Sequence, residues 1–333
     1  MTGAGVVAGV RAEVSGACGR VVLDRTRALN GLDLPMVLAL REALDRFADD
    51  PAVRVVTLGS AHPTVFCAGG DVREIRRLRL AGEHEAADAF FENEFALNAR
   101  IASFPKPIVA LVDGLCLGGD MGLSVHGSHR LVGPRAEMGM PETAIGYFPD
   151  VGGSWFLNRL PGAFGRYMGL TGARVSPADA VWAGLATAAV TEDGLRLVEE
   201  RLAEGASPEE AIAAAPPLPP TATSGADRTA IDRCFAAGSV EAIEDALRRE
   251  GTSFAQGALA PLGRASPASL RITLALLDRM RTATLAECLA AELVLAREVT
   301  RGPEFSEGIR AMLVDKDREP RWPSATNGRV AAR

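Results

Sequence analysis

The stretch 105–153 limits the possible folds of this chain more than any other part of the sequence. It contains Ile108–Val112, an unbroken apolar run between Pro107 and Gly114. A strand that is buried on both faces of a parallel sheet has such a continuous apolar sequence, whereas a half-exposed strand alternates. The run therefore predicts an interior strand, and with it an α/β fold built around a parallel sheet.

The residues that follow this strand predict a functional site. Gly118 and Gly119 precede Met121–Val125, which is predicted to be a short helix. Backbone N–H groups at a helix N-terminus can bind an anion. Glu142 and Asp150 come after the next predicted strand, in a segment rich in Gly and Pro. Anion-binding N–H groups together with two carboxyl groups are typical of a site for acyl transfer or for an enolate.

Local patterns predict further elements on both sides of this stretch. Strands are predicted at Val6–Val10, Arg20–Asp24, Val53–Leu58 and Arg130–Val132, the first two as an antiparallel pair. Helix N-caps are predicted at Asp33, Ser176, Ser239, Ser266 and Thr284. The helix after Thr284 is expected to have an apolar face formed by Leu285, Leu289 and Leu293.

The length of the chain allows two structural regions. Its 333 residues are 47% hydrophobic, which is enough for a sizeable core. We predict an α/β region at 1–190 that carries the site, and a helical C-terminal region at 191–333. A segment rich in Pro, Ser and Thr at 215–227 is predicted to be an exposed linker.

Charge and aromatic content exclude two classes of partner. The net charge is −6 and only 5% of the residues are aromatic, whereas nucleic-acid and anionic-membrane surfaces need excess Lys and Arg, and single-strand binders need aromatic side chains. The sequence has no run near the ~18 apolar residues of a membrane helix, and no basic start followed by an apolar stretch. We therefore expect a soluble, cytoplasmic protein that binds neither nucleic acid nor a membrane.

The cysteines and the missing motifs argue against a bound metal or nucleotide. The five cysteines are far apart and form no C-x-x-C pair: Cys18, Cys67, Cys116, Cys234 and Cys288. The sequence also lacks H-E-x-x-H, Walker and G-x-G-x-x-G motifs. We expect reduced, mostly buried thiols, no metal and no nucleotide cofactor.

Five segments together resemble one known family. They are FCAGGD at 66–71, LGGDMGLSVHG at 117–127, MPETAIGYFPDVGG at 140–153, SPASLRITL at 266–274 and EFSEGIRAMLVDKDREPRW at 304–322. This combination is similar to the crotonase superfamily, and most closely to its 3-hydroxyisobutyryl-CoA hydrolase branch, over nearly the whole chain. The resemblance implies a crotonase-like spiral of ββα units with a helical C-terminal region. It also implies a CoA thioester substrate, with no cofactor apart from the coenzyme A that the substrate contains.

The resemblance assigns an oxyanion hole to two backbone N–H groups. These belong to Ala68 and Gly119, and Gly118 lies beside the second in the substrate-binding turn. Both positions are in glycine-rich turns, in agreement with the anion-binding helix start predicted from the residues alone. The alternative is that these glycines only make tight turns.

The resemblance assigns the acidic pair of the branch to Glu142 and Asp150. One group would activate water or attack the carbonyl as a nucleophile, and the other would orient water or handle the proton of the leaving thiolate. Both routes stay open. Alternatively, Glu142 caps a helix and Asp150 forms an Asx turn. Glu94 matches a further carboxylate on the substrate side, or lies with Glu92 on a solvated helix face.

The resemblance also assigns contacts with the CoA moiety. Arg25, Arg27 and Ala28 belong to a loop that resembles the CoA-binding turn of the family, and the backbone around Gly70 and Asp71 would face the adenine. The alternative for the two arginines is a solvated surface charge.

Two positions depart from the patterns of the superfamily. Gly122 stands where enoyl-CoA hydratases have one of two glutamates, so hydration would lack an acid/base partner. Asp120 stands where the hydrolase branch more often has a third glycine. Because an inward carboxylate would oppose negative charge in the oxyanion hole, we expect Asp120 to point away or to cap the following helix.

The sequence therefore predicts hydrolysis of a short-chain 3-hydroxyacyl-CoA thioester, of the 3-hydroxyisobutyryl-CoA type, to the free acid and CoA. The branch suggests a role in valine breakdown. Two alternatives stay open: an enoyl-CoA hydratase/isomerase, and a crotonase-fold scaffold that binds acyl-CoA without turnover. A homo-oligomer is an open alternative to a monomer.

Overall fold

The apolar segment after Pro107 is an interior strand, as its sequence predicts. In the computed structural model, which describes residues 7–219 and 225–323, Ile108–Val112 pairs with parallel strands along both of its edges. All of its residues except Leu111 are buried. A strand covered on both faces has no polar side to present, which explains the continuous apolar run.

The strands form two sheets. Within the described residues they are β1 (Val10–Ser15), β2 (Cys18–Leu23), β3 (Val55–Ser60), β4 (Val65–Cys67), β5 (Ile108–Val112), β6 (Leu115–Leu117), β7 (His129–Val132), β8 (Glu137–Gly139) and β9 (Ala188–Ala189). The larger sheet has the order β1-β2-β3-β5-β7-β9, and the smaller one has the order β4-β6-β8. In the larger sheet β1 and β2 are antiparallel, and every later pairing is parallel.

The N-terminal antiparallel pair is confirmed, but its first strand lies later than predicted. β1 begins at Val10, where the predicted strand ended, and Val10 pairs with Leu23. Gly16, with a φ of 57°, turns the chain between the two strands. Val6 lies outside the described residues. The other predicted strands are confirmed, with ends that differ by no more than two residues.

Helices make up most of the remaining chain. The α-helices of the described residues are α1 (Leu34–Asp49), α2 (Val72–Leu80), α3 (His84–Ala102), α4 (Met121–Val125), α5 (Gly153–Phe156), α6 (Phe164–Thr171), α7 (Pro177–Ala183), α8 (Glu192–Ala203), α9 (Pro208–Ala214), α10 (Gly225–Phe235), α11 (Val240–Glu250), α12 (Ser253–Arg264), α13 (Pro267–Arg279), α14 (Leu285–Val299) and α15 (Pro303–Ile309). Short 3-10 helices lie at Thr26–Ala28, Gly118–Asp120, Glu142–Ile145 and Leu157–Arg159, and a π-helix at Arg310–Val314. No helix of the described residues is both long enough and apolar enough to cross a membrane.

The predicted N-caps are confirmed. In each case the side chain accepts a hydrogen bond from the backbone N–H three residues later: Asp33, Ser176, Ser239, Ser266 and Thr284. A cap of this kind typically contributes about 1 kcal/mol to stability. These caps fix where the chain enters each helix, because they satisfy N–H groups that have no partner within the helix.

The first of two compact units holds the larger sheet. It consists of the described residues of Met1–Asp71, Ala89–Met138 and Arg174–Ala222. The start of the predicted linker belongs to this unit, because the Leu218 N–H donates to the Ala189 carbonyl oxygen at 2.9 Å. Residues 220–224 of the linker lie outside the described residues.

The second unit joins the acid-bearing segment to the C-terminal helices. It consists of the described residues of Val72–Asp88, Gly139–Ala173 and Thr223–Arg333. Glu142 and Asp150 therefore belong to the same unit as α10 to α15. The predicted domain boundary near residue 190 stays a prediction. The two compact units divide the chain differently, and they group the two acids with the C-terminal helices.

Candidate active site

The first predicted N–H donor lies directly after a strand. β4 ends at Cys67, and Ala68 follows at once and is exposed. Gly69 has a φ of 97°, which residues with a side chain rarely adopt. The turn that follows Ala68 therefore requires glycine, and this requirement explains part of the FCAGGD motif.

The second predicted donor lies at the end of the neighbouring strand. β6 pairs in parallel with β4, and the chain then enters the 3-10 helix Gly118–Asp120 and α4. A Cβ atom added to Gly69 would lie 3.4 Å from the Leu117 carbonyl oxygen and 3.9 Å from the Gly119 nitrogen. The structure therefore brings the turns of Ala68 and Gly119 together, as expected for parallel strands that end at one edge of a sheet.

Glu94 lies against both glycine turns. It is on the buried face of α3 and is only 2% exposed, whereas its neighbour Glu92 is exposed. A Cβ atom added to Gly119 would lie 3.0 Å from Glu94 Oε1, and one added to Gly70 would lie 3.8 Å from the same atom. The alternative of a solvated helix face is therefore wrong for Glu94. Its contact with substrate stays a prediction.

The Asp120 side chain does not cap α4, so the capping alternative is wrong, and its orientation away from the proposed oxyanion stays a prediction. It already has helical backbone angles (φ −74°, ψ −18°), whereas an N-cap residue is extended. Its side chain is fully buried, and Oδ2 accepts a hydrogen bond from the Gly69 N–H. Burial raises the pKa of Asp120 to about 7, and hydrogen bonding with Cys67 and Gly69 opposes this shift. The carboxyl group thereby connects the turn of Gly119 to the turn of Ala68.

Arg25 is attached to another predicted CoA-binding residue. Its guanidinium lies 3.1 Å from the Asp71 carboxylate and donates to the Gly31 carbonyl oxygen at 2.7 Å. Arg25 is half-buried, so the alternative of a solvated surface charge is wrong for this residue. Arg27 and Ala28 are exposed. The structure brings Arg25 and Asp71 together. Contact of any of these residues with CoA stays a prediction.

Glu142 is buried at the start of a 3-10 helix. It is only 5% exposed, and the N-cap position of this helix is occupied by Pro141. The alternative that Glu142 caps a helix is therefore wrong. Its carbonyl oxygen accepts a hydrogen bond from the Tyr147 N–H at 3.1 Å, which closes the turn after the helix.

The C-terminal helices hold the segment around Glu142. The Ser266 N–H, at the start of α13, donates to the Thr143 carbonyl oxygen at 3.0 Å. The Ser266 hydroxyl bonds the carboxyl group of Glu304 in the first turn of α15. Residues distant in the sequence therefore fix the main chain that carries Glu142.

Asp150 is buried and bonded to a tyrosine. The Tyr147 hydroxyl donates to Asp150 Oδ2 at 2.9 Å. Burial raises the pKa of Asp150 to about 7, and the hydrogen bond from Tyr147 opposes this shift. The Gly152 N–H, which an Asx turn would use, donates instead to Glu292, so the Asx-turn alternative is wrong. Tyr147 is bonded to both predicted acids, but through different atoms: its backbone N–H donates to the Glu142 carbonyl oxygen, and its hydroxyl donates to the Asp150 carboxyl group.

Tyr147 and Glu292 are bonded to the Asp150 segment but do not belong to the residues predicted from the sequence. The buried face of α14 is rotated from the predicted one: it contains Cys288, Leu289, Glu292 and Ala296. Residues four apart lie on the same face of a helix. The sequence signal for a buried Glu292 is therefore its spacing of four residues from both Cys288 and Ala296. Tyr147 had no signal beyond its place between the two acids.

The cysteines are free thiols, as expected. All five lie in the described residues and are buried. Burial raises the pKa of Cys67 and of Cys116, so both stay protonated at neutral pH. Within the described ranges, no group of three or more His, Cys, Asp or Glu side chains is arranged to hold a metal ion.

Comparisons with known proteins agree with the motifs. Residues 18–333 match the family described as enoyl-CoA hydratase/isomerase. The chain is 39% identical to the protein named "3-hydroxyisobutyryl-CoA hydrolase, mitochondrial" of Rattus norvegicus, over 94% of this chain and 84% of that protein. The human protein of the same name is also 39% identical, over 94% of this chain and 83% of its own length.

A solved structure gives the same result for the fold. It is a carnitinyl-CoA dehydratase from Mycobacterium thermoresistibile with a TM-score of 0.91 and 34% identity, covering 98% of this chain and 94% of that one. The predicted crotonase-like α/β fold with its helical C-terminal region is confirmed. This chain belongs to the enoyl-CoA hydratase/isomerase family, the crotonase superfamily that its motifs resemble.

Proposed function

We propose that this chain hydrolyses a short-chain 3-hydroxyacyl-CoA thioester, of the 3-hydroxyisobutyryl-CoA type, to the free acid and CoA. The observation that carries the proposal is a pair of buried carboxyl groups in one compact unit, those of Glu142 and Asp150, with Tyr147 bonded to the main chain of the first and the side chain of the second. Hydrolysis needs groups that activate water and protonate a leaving thiolate, and buried carboxyl groups suit both tasks. The names of the rat and human relatives support the same reaction.

The backbone would stabilise the charge that develops on the substrate. In this proposal the N–H groups of Ala68 and Gly119 hold the thioester carbonyl oxygen, with Gly118 and Glu94 beside the acyl group. Each such donor typically stabilises the transition state by about 2.7–4 kcal/mol. The close approach of the two turns around Gly69 supports this assignment.

The acids would carry out the proton transfers. Glu142 would activate a water molecule, or would attack the carbonyl carbon itself and form an anhydride that water then hydrolyses. In both routes the C–S bond breaks and the thiolate of CoA takes up a proton. Asp150, with a pKa near 7, can orient the water and exchange that proton at neutral pH.

Enoyl-CoA hydration is the second candidate. A solved structure titled an enoyl-CoA hydratase from Rhodobacter sphaeroides is 39% identical to this chain, with a TM-score of 0.86, and covers 95% of this chain and 92% of its own. Gly122 argues against hydration, because α4 carries no carboxyl group at the position of the second hydratase glutamate. Binding of acyl-CoA without either reaction would indicate a non-catalytic scaffold.

Contacts with CoA and the cellular setting are further parts of the proposal. The CoA moiety would contact five residues: Arg25, Arg27, Ala28, Gly70 and Asp71. Weaker CoA binding by Arg27→Ala would support this.

Turnover would need no metal or added cofactor, so dialysis against EDTA should leave the rate unchanged. We also propose a role in valine breakdown, a cytoplasmic location testable by cell fractionation, and a homo-oligomer testable by light scattering.

A panel of acyl-CoA thioesters tests the proposed activity. The purified protein is mixed with 3-hydroxyisobutyryl-CoA, other short 3-hydroxyacyl-CoAs and longer acyl-CoAs, and free thiol is followed with a thiol reagent. The proposal predicts thiol release that is fastest with the short 3-hydroxyacyl substrates. Absence of thiol release from every member of the panel would refute it.

A further inference from the structure

Glu292 bonds the main chain that follows Asp150. It lies within α14 and is completely buried. Its Oε2 accepts a hydrogen bond from the Gly152 N–H at 2.6 Å, and its Oε1 accepts from the Ser154 N–H at 2.9 Å and from the Ser154 hydroxyl at 2.5 Å. All three donors therefore come from the short segment directly after Asp150.

That segment has a conformation that needs support. Val151 has a φ of 52° and Gly152 a φ of 83°. A positive φ is unfavourable for a residue branched at Cβ, such as valine, so surrounding contacts must hold it. The Asp150 carbonyl oxygen accepts from the Gly153 N–H at 2.7 Å, which closes a tight turn. The bonds donated to Glu292 hold Gly152, which lies within this turn, and Ser154, which follows it.

The charge of Asp150 also acts on Glu292. Burial raises the pKa of Glu292 to about 8, its bonds to Ser154 and Gly152 oppose the shift, and the nearby Asp150 carboxylate adds to it. The two carboxyl groups are thus close enough to interact electrostatically. The three hydrogen bonds satisfy the carboxyl oxygens of Glu292, so its burial requires no positively charged partner.

We propose that Glu292 is a positioning residue for the reaction, which holds the turn after Asp150 so that the Asp150 carboxyl group meets the Tyr147 hydroxyl. This inference rests on the proposed hydrolysis. It gives the C-terminal helical region a part in catalysis, although Glu292 itself acts only through Asp150. Misplacing a catalytic group by about 1 Å can cost roughly a hundredfold in rate, so a residue that fixes its backbone can have a large effect.

Glu292→Gln is the main test. One of the two side-chain oxygens becomes an NH₂ group, which cannot accept from the Gly152 or Ser154 N–H. Amide exchange of Gly152 and Ser154, measured without substrate, should accelerate at least about tenfold. With a short 3-hydroxyacyl-CoA, kcat should fall about ten- to a hundredfold while KM stays within about twofold, measured well below the melting temperature.

Glu298→Gln is the matched control. It makes the same change on the exposed side of α14 and should behave as the wild type in every measurement. Ser154→Ala is a milder second variant that removes the hydroxyl bond to Glu292 and keeps the two backbone bonds. It should lower kcat about two- to fivefold with KM unchanged, because only one of three bonds is lost.

The outcomes separate this inference from the proposed activity. An inactive wild type would refute the proposed activity. An active wild type with unchanged kcat in folded Glu292→Gln, or with unchanged exchange of Gly152 and Ser154, would overturn the positioning role. A change in melting temperature alone, with wild-type kcat below it, would show a structural role and would also overturn the inference.

Discussion

The two compact units present their chemistry in different ways. In the first unit, glycine-rich turns carry the two backbone N–H groups that are proposed to form the oxyanion hole, those of Ala68 and Gly119. In the second, the side chains of Glu142 and Asp150 are buried. Backbone donors depend on local chain geometry, whereas buried carboxyl groups depend on partners that come from distant helices. The first kind of site is therefore encoded in short motifs, and the second needs the whole unit.

Each unit also contains a buried carboxyl group that bonds the main chain. Asp120 accepts from the Gly69 N–H of the neighbouring turn. Glu292 accepts from Gly152, which is 140 residues away in the sequence. Both carboxyl groups replace water as the partner of backbone donors, so each holds a turn that carries a proposed catalytic group. The comparison predicts that the second unit will be more sensitive to single side-chain changes.

The largest effect is expected for Glu142→Gln. The amide keeps the shape of the side chain but cannot act as a base or a nucleophile, so thiol release should fall at least about a hundredfold. The fold, measured by circular dichroism, and CoA binding should be unchanged. The exposed Glu92→Gln is a control that should keep full activity. Near-normal turnover by Glu142→Gln would remove Glu142 from the mechanism.

A change in the first unit should have a smaller effect. Gly122 lies in α4, three residues after Gly119. Gly122→Glu should lower thiol release at least about tenfold, because the new side chain adds bulk and negative charge near the proposed oxyanion. It should also introduce trace hydration of a 2-enoyl-CoA. Gly122→Gln, which has the same bulk without the charge, should lose less activity, and equal loss in both variants would exclude the electrostatic explanation.

The pH profile tests the contact between Tyr147 and Asp150. The hydrogen bond from Tyr147 lowers the pKa of Asp150, which burial has raised to about 7. Tyr147→Phe should therefore raise this pKa further, and the limb of the pH–rate profile that reports Asp150 should move upward by about one pH unit. A rising limb would show that the reaction uses the carboxylate, and a falling limb that it uses the acid. An unmoved profile would separate Asp150 from the rate.

The smallest effect on activity is expected at Asp120, where stability is the better measurement. Asp120 releases its proton near its ordinary pKa of 3.8 when unfolded, but only near pH 7 when folded. Its contribution to stability is therefore full below pH 3.8 and is lost as the pH rises to about 7. The Asn side chain of Asp120→Asn does not titrate, so the variant does not lose this contribution. Its free energy of unfolding minus that of the wild type should therefore rise by on the order of 2–4 kcal/mol between pH 4 and pH 8.

Denaturant unfolding at several pH values measures this gain. The exposed Asp193→Asn is the control and should show the same pH dependence as the wild type. If the free energy of unfolding depends on pH in the same way for Asp120→Asn and for the wild type, Asp120 does not hold its proton in the folded state.

Local signals explain which parts of the molecule the sequence predicts. The interior strand at Ile108–Val112 and the N-cap at Asp33 depend on neighbours in the chain, and both are confirmed. The glycine turns around Gly69 and Gly119 were placed for the same reason. The sequence does not decide whether Glu94 is buried, because its helix also carries the exposed Glu92 and only packing determines which face is inside.

Long-range contacts explain what the sequence could not predict. A cap on the following helix is one of the two orientations predicted for Asp120, but its partner is on the turn of another strand. Glu292 lies outside every motif of the sequence, and its partners Gly152 and Ser154 are in a different part of the chain. In both cases a carboxyl group bonds a backbone N–H that no local pattern connects with it.

The central claim, hydrolysis rather than hydration, is tested most directly by comparing two rates of the wild-type protein. One preparation is given 3-hydroxyisobutyryl-CoA, with thiol release as the readout, and a 2-enoyl-CoA of similar length, with loss of its absorbance as the readout. Because Gly122 leaves hydration without its second carboxyl group, we predict that thiol release exceeds hydration at least about a hundredfold. Brisk hydration with little thiol release from any short acyl-CoA would contradict the account and establish an enoyl-CoA hydratase in its place.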